Sequence, residues 1–131
     1  MTILTQKGVG GFRLEISDEV ESGRYCNVRL YSLMGEATKK VYSLDFDQLV
    51  SQLEEMARSL SGAAKMQSLE GDFQIRLEMQ DSLGHVRIET TLIDHYIDSE
   101  FRAAGGIDQT YLPTFITNLK KLDLSGDRGD S

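Results

Sequence analysis

Residues 73–92 read FQIRLEMQDSLGHVRIETTL. Phe73, Ile75, Leu77 and Met79 alternate with Gln74, Arg76, Glu78 and Gln80, the two-residue period of a strand with one buried and one wet face. Asp81-Ser82-Leu83-Gly84 then places a carboxylate and a glycine where a type I turn followed by glycine needs them. Val86, Ile88, Thr90 and Leu92 resume the inward face. A connection this short joins antiparallel neighbours, because a parallel crossover needs a dozen residues or more. An antiparallel sheet therefore organises the fold.

Downstream, Asp94-His95-Tyr96 predicts a turn into a strand carrying Ile97, Ser99, Phe101 and Ala103. Gly105-Gly106 releases the chain, and Thr110 is the expected cap of a helix with Pro113 in its first turn, where a missing N–H costs no intrahelical bond. Leu112, Phe115, Ile116, Leu119 and Leu122 make its apolar stripe, with Lys120 and Lys121 near its C-terminal, negative end. Upstream, 66–69 is a short strand candidate. Before it, Phe46, Leu49, Val50, Leu53, Met56, Ala57 and Leu60 follow the three- and four-residue steps of an amphipathic helix. Asp45 is its expected N-cap and Gly62 its expected stop. Phe12, Leu14 and Ile16 alternate with Arg13, Glu15 and Ser17; a polar turn over 18–23 leads to Cys26, Val28 and Leu30; Met34-Gly35 breaks that strand before a return over 36–43.

The reading is an α+β fold: an antiparallel sheet of about six or seven strands packed by two amphipathic helices, in the order β-β-β-α-(β)-β-β-β-α. One domain is expected over 10–123, with a flexible lead-in at 1–9 and a flexible tail at 124–131. The two halves are organised alike, each running from strands into a helix. Duplication and the plain stringing together of hairpins and packing helices both account for that likeness.

The chain has 131 residues, enough for one domain with its own core and too few for two ordinary ones. No run of apolar residues is long enough to span a bilayer, and 1–8 lacks the apolar stretch of a secretion signal. Cys26 is the single cysteine, so no intrachain disulfide or thiolate zinc cluster can form. In phase with Val28 and Leu30, it reads as a buried structural thiol suited to a reducing cytoplasm. The formal charge of −7 is uneven: residues 1–65 hold eight Lys/Arg against nine Asp/Glu, and 66–131 hold six against twelve. Such a field disfavours nucleic acid and anionic membrane as partners and steers a basic one, although it also simply serves solubility. A monomer or weak homodimer is expected.

Chemistry is scarce. His85 and His95 are the only imidazoles, no metal-ligand spacing occurs, and the glycines at 8–11 precede a strand rather than follow one, so they form no phosphate fingerprint. Neither a metal nor a cofactor is expected. His95 lies between Asp94 and Asp98, where carboxylates could orient an imidazole, yet no activated nucleophile accompanies it. Asp98 and Glu100 share one strand parity and, with Asp94 and Glu89 nearby, make an acidic patch. Solvated scenery, a docking surface for basic side chains and a cation or catalytic site all remain open for it. Tyr25 and Tyr31 share the non-core parity of their strand, and Tyr42 likewise falls on the parity opposite Lys39 and Val41. Tyrosines so placed either anchor a protein interface or lie beneath a helix.

Leu69-Glu70-Gly71-Asp72-Phe73, the Phe46–Met56 pattern F-x-x-L-x-x-x-L-x-x-M, Leu83-Gly84-His85-Val86 and the decapeptide from Gly106 to Phe115 resemble bacterial immunity proteins of the WapI-associated group. The resemblance extends from Phe12 to Leu122. It implies a small cytoplasmic protein, encoded beside a polymorphic contact-dependent toxin, that neutralises the toxin by direct binding without enzyme activity or cofactor. It supplies no binding residues. Tyr25, Tyr31, Asp94, Asp98 and Glu100 are therefore the candidate partner-binding residues on parity and charge alone. The competing expectation is a small-molecule-binding domain or minor enzyme with a groove around His95.

Overall fold

A computed structural model describes residues 2–3, 12–19, 25–42, 46–68 and 70–127, with backbone alone for 2–3, 18–19, 25, 42 and 122–127. The elements follow in the order β1 (Thr2–Ile3), β2 (Arg13–Glu19), β3 (Tyr25–Ser32), β4 (Gly35–Tyr42), α1 (Asp47–Ser59), β5 (Ala63–Gln67), β6 (Phe73–Met79), β7 (His85–Asp94), β8 (Ser99–Asp108), a 3-10 turn (Gln109–Tyr111) and α2 (Leu112–Asp127). The expected strands and helices are present and are divided between two antiparallel meanders, β1-β2-β3-β4 and β5-β6-β7-β8. The chain leaves the first sheet through α1, and β5 then pairs with β6 instead of returning to β4. The hairpin of 73–92 has the register its alternation requires, from Phe73 opposite Leu92 to Met79 opposite Val86.

One core joins both sheets and both helices. Leu14, Ile16, Val28 and Leu30 from the first sheet meet Phe73, Leu77 and Ile88 from the second, with Leu49, Leu53 and Met56 of α1 and Phe115 and Leu119 of α2. Cys26 is half-buried, packed against this core rather than within it. Helix α1 lies along the edge strand β5, where Gln52 Oε1 accepts from the Lys65 backbone N–H at 2.9 Å. That bond covers part of an edge which would otherwise invite pairing with another chain. Lys120 Nζ of α2 reaches Glu54 Oε2 of α1 at 3.1 Å.

Strand β4 crosses the end of the second sheet. Near its start, a side chain at Gly35 would meet the Phe101 ring of β8 at 4.0 Å. Four residues on, Lys39 Nζ lies 3.9 Å from Asp72 Oδ2, just ahead of β6. Lys39 points inward on the parity of Ala37 and Val41, and the buried Asp72 explains how the core tolerates it. Asp72 also accepts from the buried Ser68 hydroxyl. Ser68 Oγ in turn accepts from the Phe73 N–H at 3.0 Å, and the Ile93 N–H donates to the Asp72 carbonyl at 2.8 Å. Asp72 and Phe73, with Ser68 and Lys39, thus close a polar knot between the sheets.

Several local expectations are corrected. Leu60, not Gly62, takes the left-handed C-cap of α1 (φ 54°), its N–H bonding the Met56 carbonyl at 2.9 Å. Packing of the Leu60 side chain on the core offsets the strain that glycine would avoid. Strand β8 continues through Gly105-Gly106, which pair with Ile88 and Arg87, as far as Asp108. Asp108 rather than Thr110 is the cap: its carboxylate accepts from the Thr110 N–H at 2.9 Å, opening the 3-10 turn that leads into α2. Helix α2 then runs to Asp127, and Thr2–Ile3 pairs with β2. The Asp45 cap, the rest of the lead-in and most of the 18–23 turn fall outside the described residues, and at Phe46 no side chain caps α1.

Candidate partner-binding site

The β7–β8 turn is held by its own backbone. Asp94 Oδ1 accepts from the Tyr96 N–H at 2.9 Å and the Ile97 N–H at 3.4 Å, an Asx turn. Asp98 completes the reversal at φ 50°, a conformation that aspartate tolerates better than most residues. Strand β8 begins only at Ser99, so Asp98 belongs to the turn and does not share a strand face with Glu100. Ile97, expected on the inward face of that strand, points into solvent beside Tyr96. No hydrogen bond joins His95 to Asp94 or Asp98 among the described residues; Asp94 Oδ1 accepts from main-chain donors instead.

A second turn lies close by. Leu33 and Met34 connect Ser32 to Gly35, with the Met34 N–H donating to Ser32 Oγ at 3.1 Å. Gly35 stands beside Phe101, which is two residues into β8. One turn thus adjoins Phe101, which follows Ile97 of the other by four residues, at this corner of the molecule. Relative exposures there are 80% for Leu33, 92% for Met34, 99% for Tyr96 and 71% for Ile97. Four large apolar side chains held so far out have no role in the core. Glu36, Asp98 and Glu100, all exposed, and the half-buried Asp94 lie in the same two turns or next to them in sequence.

The sequence-derived candidates divide between this corner and other places. Asp94, Asp98 and Glu100 lie at the β7–β8 turn. Tyr31 is near the other turn, half-buried in the register row Arg13–Tyr31–Glu36, with the Arg29 guanidinium 5.9 Å from its ring centroid. Tyr25 pairs with Tyr42 at the far end of β3, about 20 Å away along the strand; its side chain is outside the described set. Glu89 is drawn into an ion pair with Arg87 at 3.3 Å. Leu33, Met34, Tyr96 and Ile97 were not singled out from sequence. The signal for them was modest: large apolar residues inside segments that have to turn.

Two other features complete the surface. A groove of about 650 Å³ crosses the outer face of the second sheet, lined by Lys65, Gln67, Gln74, Arg76, Thr91 and Arg102 among others. His95 is not among its lining residues, so this concavity is not the one expected around that imidazole. At the opposite end of β7, His85 Nδ1 lies 2.7 Å from Asp81 Oδ2. Donating its Nδ1–H to the Asp81 carboxylate raises the imidazole pKa, and the same bond lowers that of Asp81. Asp81 Oδ1 also accepts from the Leu83 N–H at 2.9 Å, so its role is to close the hairpin. Among the described residues no three His, Cys, Asp or Glu side chains are grouped to hold a metal ion, and no helix is long and apolar enough to cross a membrane.

No curated protein and no solved structure matches the chain. A family match does exist, and it spans residues 9–122, from ahead of β2 through the buried stripe of α2. It covers the parts that build the scaffold: the Asp72 knot, the Gly84 turn and the Asp108 cap. On that match the chain belongs to the immunity protein WapI-like family.

Proposed function

We propose that this protein neutralises a cognate toxin by binding it and covering its active surface, with no reaction of its own. The observation that carries the reading is the family match over residues 9–122. The surface chemistry supports it: carboxylates border the exposed corner, on a chain of net charge −7. The partner face is accordingly basic, as in a toxin that grips nucleic acid. Long-range attraction of this kind raises the encounter rate and selects among partners more than it holds the complex together. The proposed setting is the cytoplasm, with the immunity protein as a monomer or weak homodimer before it meets the toxin.

Co-expression with the toxin domain encoded beside its gene tests the reading. Growth is restored by the wild-type chain and not by an empty vector; continued killing at equal protein level refutes neutralisation. Charge is tested separately by stopped-flow association. Asp98→Asn with Glu100→Lys leaves Asp94 to hold the turn and keeps a residue tolerant of positive φ at 98. Association slows several-fold at low ionic strength and by less at high salt. A rate unchanged at both removes these two carboxylates from the approach.

A further inference from the structure

We infer that Leu33, Met34, Tyr96 and Ile97 together form the apolar anchor of the toxin interface, entering a hollow on the partner that is rimmed by Lys or Arg. The inference rests on the proposed toxin-binding reading and names the part of the surface that supplies affinity.

Each of the four is large and between 71% and 99% exposed, and they come from two turns separated by more than sixty residues of sequence, one of which adjoins Phe101, four residues past Ile97 of the other. Both turns are preorganised. Asp94 and the left-handed Asp98 fix one, and Ser32 Oγ fixes the other. Fixed turns lose little conformational freedom on binding, so more of the burial energy appears as affinity. Hot spots favour this arrangement, in which central aromatic and aliphatic side chains are ringed by polar groups that exclude water.

The charge of the ring selects the occupant. Glu36, Asp98 and Glu100, in or next to the two turns, are exposed, and Asp94 is half-exposed. A second copy of this acidic chain would bring like charges together, whereas a basic protein surface brings opposite ones. The anchor and the rim thus divide the work: apolar side chains slow dissociation, and carboxylates speed approach.

The test uses the purified toxin domain encoded beside the gene, immobilised for kinetic binding. Tyr96→Ser with Ile97→Ser, and separately Leu33→Ser with Met34→Ser, each weaken binding by about 100-fold, chiefly through faster dissociation. Leu83→Ser is the matched control, since Leu83 is 74% exposed on the β6–β7 turn at the other end of β7; it leaves the kinetics unchanged. All variants retain the wild-type Tm, because none of these side chains is buried. Wild-type binding that survives in both double variants overturns the anchor while leaving neutralisation standing. Absence of wild-type binding overturns both. Sedimentation velocity covers the remaining occupant: a wild-type dimer that the tip variants dissolve assigns the corner to self-association and overturns the inference.

Discussion

Replacing Asp72 probes the joint between the two sheets. Its carboxylate is buried, accepts from the Ser68 hydroxyl and faces the Lys39 ammonium at 3.9 Å. Asp72→Ala leaves the hydroxyl of Ser68, itself only 3% exposed, without its acceptor, and loss of a hydrogen bond to a charged group costs about 1.5–3 kcal/mol. Lys39 also loses its counter-ion, but with its side chain 24% exposed it turns partly to water, adding less than about 1 kcal/mol. The total is about 2–4 kcal/mol, a fall in Tm of roughly 6–14 °C for a domain of this size. Asp72→Asn keeps an acceptor for Ser68 and forfeits only the charge, so it falls between wild type and alanine, at about 1–2 kcal/mol. Urea denaturation followed by far-UV circular dichroism measures both. Combined with Lys39→Met, Asp72→Asn completes a double-mutant cycle whose coupling is about 0.5–1 kcal/mol. An alanine variant that melts within about 2 °C of wild type, or a coupling of zero, refutes the assignment of this knot as an inter-sheet lock.

Two further perturbations address the β6–β7 turn. Gly84 is buried at φ 93°, and a methyl group there would meet Gln109 Cγ at 2.6 Å, while the Gln109 N–H donates to the Gly84 carbonyl at 2.7 Å. Gly84→Ala therefore costs about 2 kcal/mol or more; adding Gln109→Ala returns part of the loss by removing the clash, and a thermal melt showing no such recovery contradicts the contact. The Asp81–His85 pair has a pH signature. With the imidazole pKa raised from 6.5, its contribution is complete below that value and is lost as pH rises through the raised one. With the Asp81 pKa lowered from 3.8, its part is present above that value and lost as pH falls through the lowered one. An NMR titration should show the His85 ring titrating above 6.5 and moving back down in Asp81→Asn; an identical curve in the variant breaks the pairing.

Local periodicity made the elements legible, and long-range geometry stayed hidden. The alternation of 73–92 determined a hairpin and its register because a one-residue slip would have turned Phe73, Ile75 and Leu77 outward. The stripe from Phe46 to Leu60 marked α1 for the same kind of reason. Nothing local states whether β5 returns to β4 or starts a second sheet, since both choices bury the same face. A trace of the answer was present in Lys39, a charge on an otherwise inward parity, whose partner is more than thirty residues away. Ile97, two positions before Ser99, fits the strand period equally well; only the Asp94 bonds extend the turn far enough to exclude it from β8.

The phrases that carry the family resemblance and the residues proposed to carry binding are different sets, and the structure supplies a physical reason. Asp72, Gly84 and Asp108 each satisfy a requirement with few chemical solutions: a buried carboxylate matched to a hydroxyl and an ammonium, a positive φ packed against Gln109, and a cap that opens the last helix. Their identity is dictated by the chain itself. Leu33, Met34, Tyr96 and Ile97 satisfy no internal requirement, so the fold places them without prescribing them. Specificity for one toxin over another can then be rewritten at two turns while the scaffold beneath stays unchanged. Transplanting residues 33–34 and 95–98 from a family member that protects against a different toxin should transfer protection without changing Tm, as measured by survival during co-expression. If protection instead follows the Asp72 and Gly84 segments, the division between scaffold and contact surface is wrong.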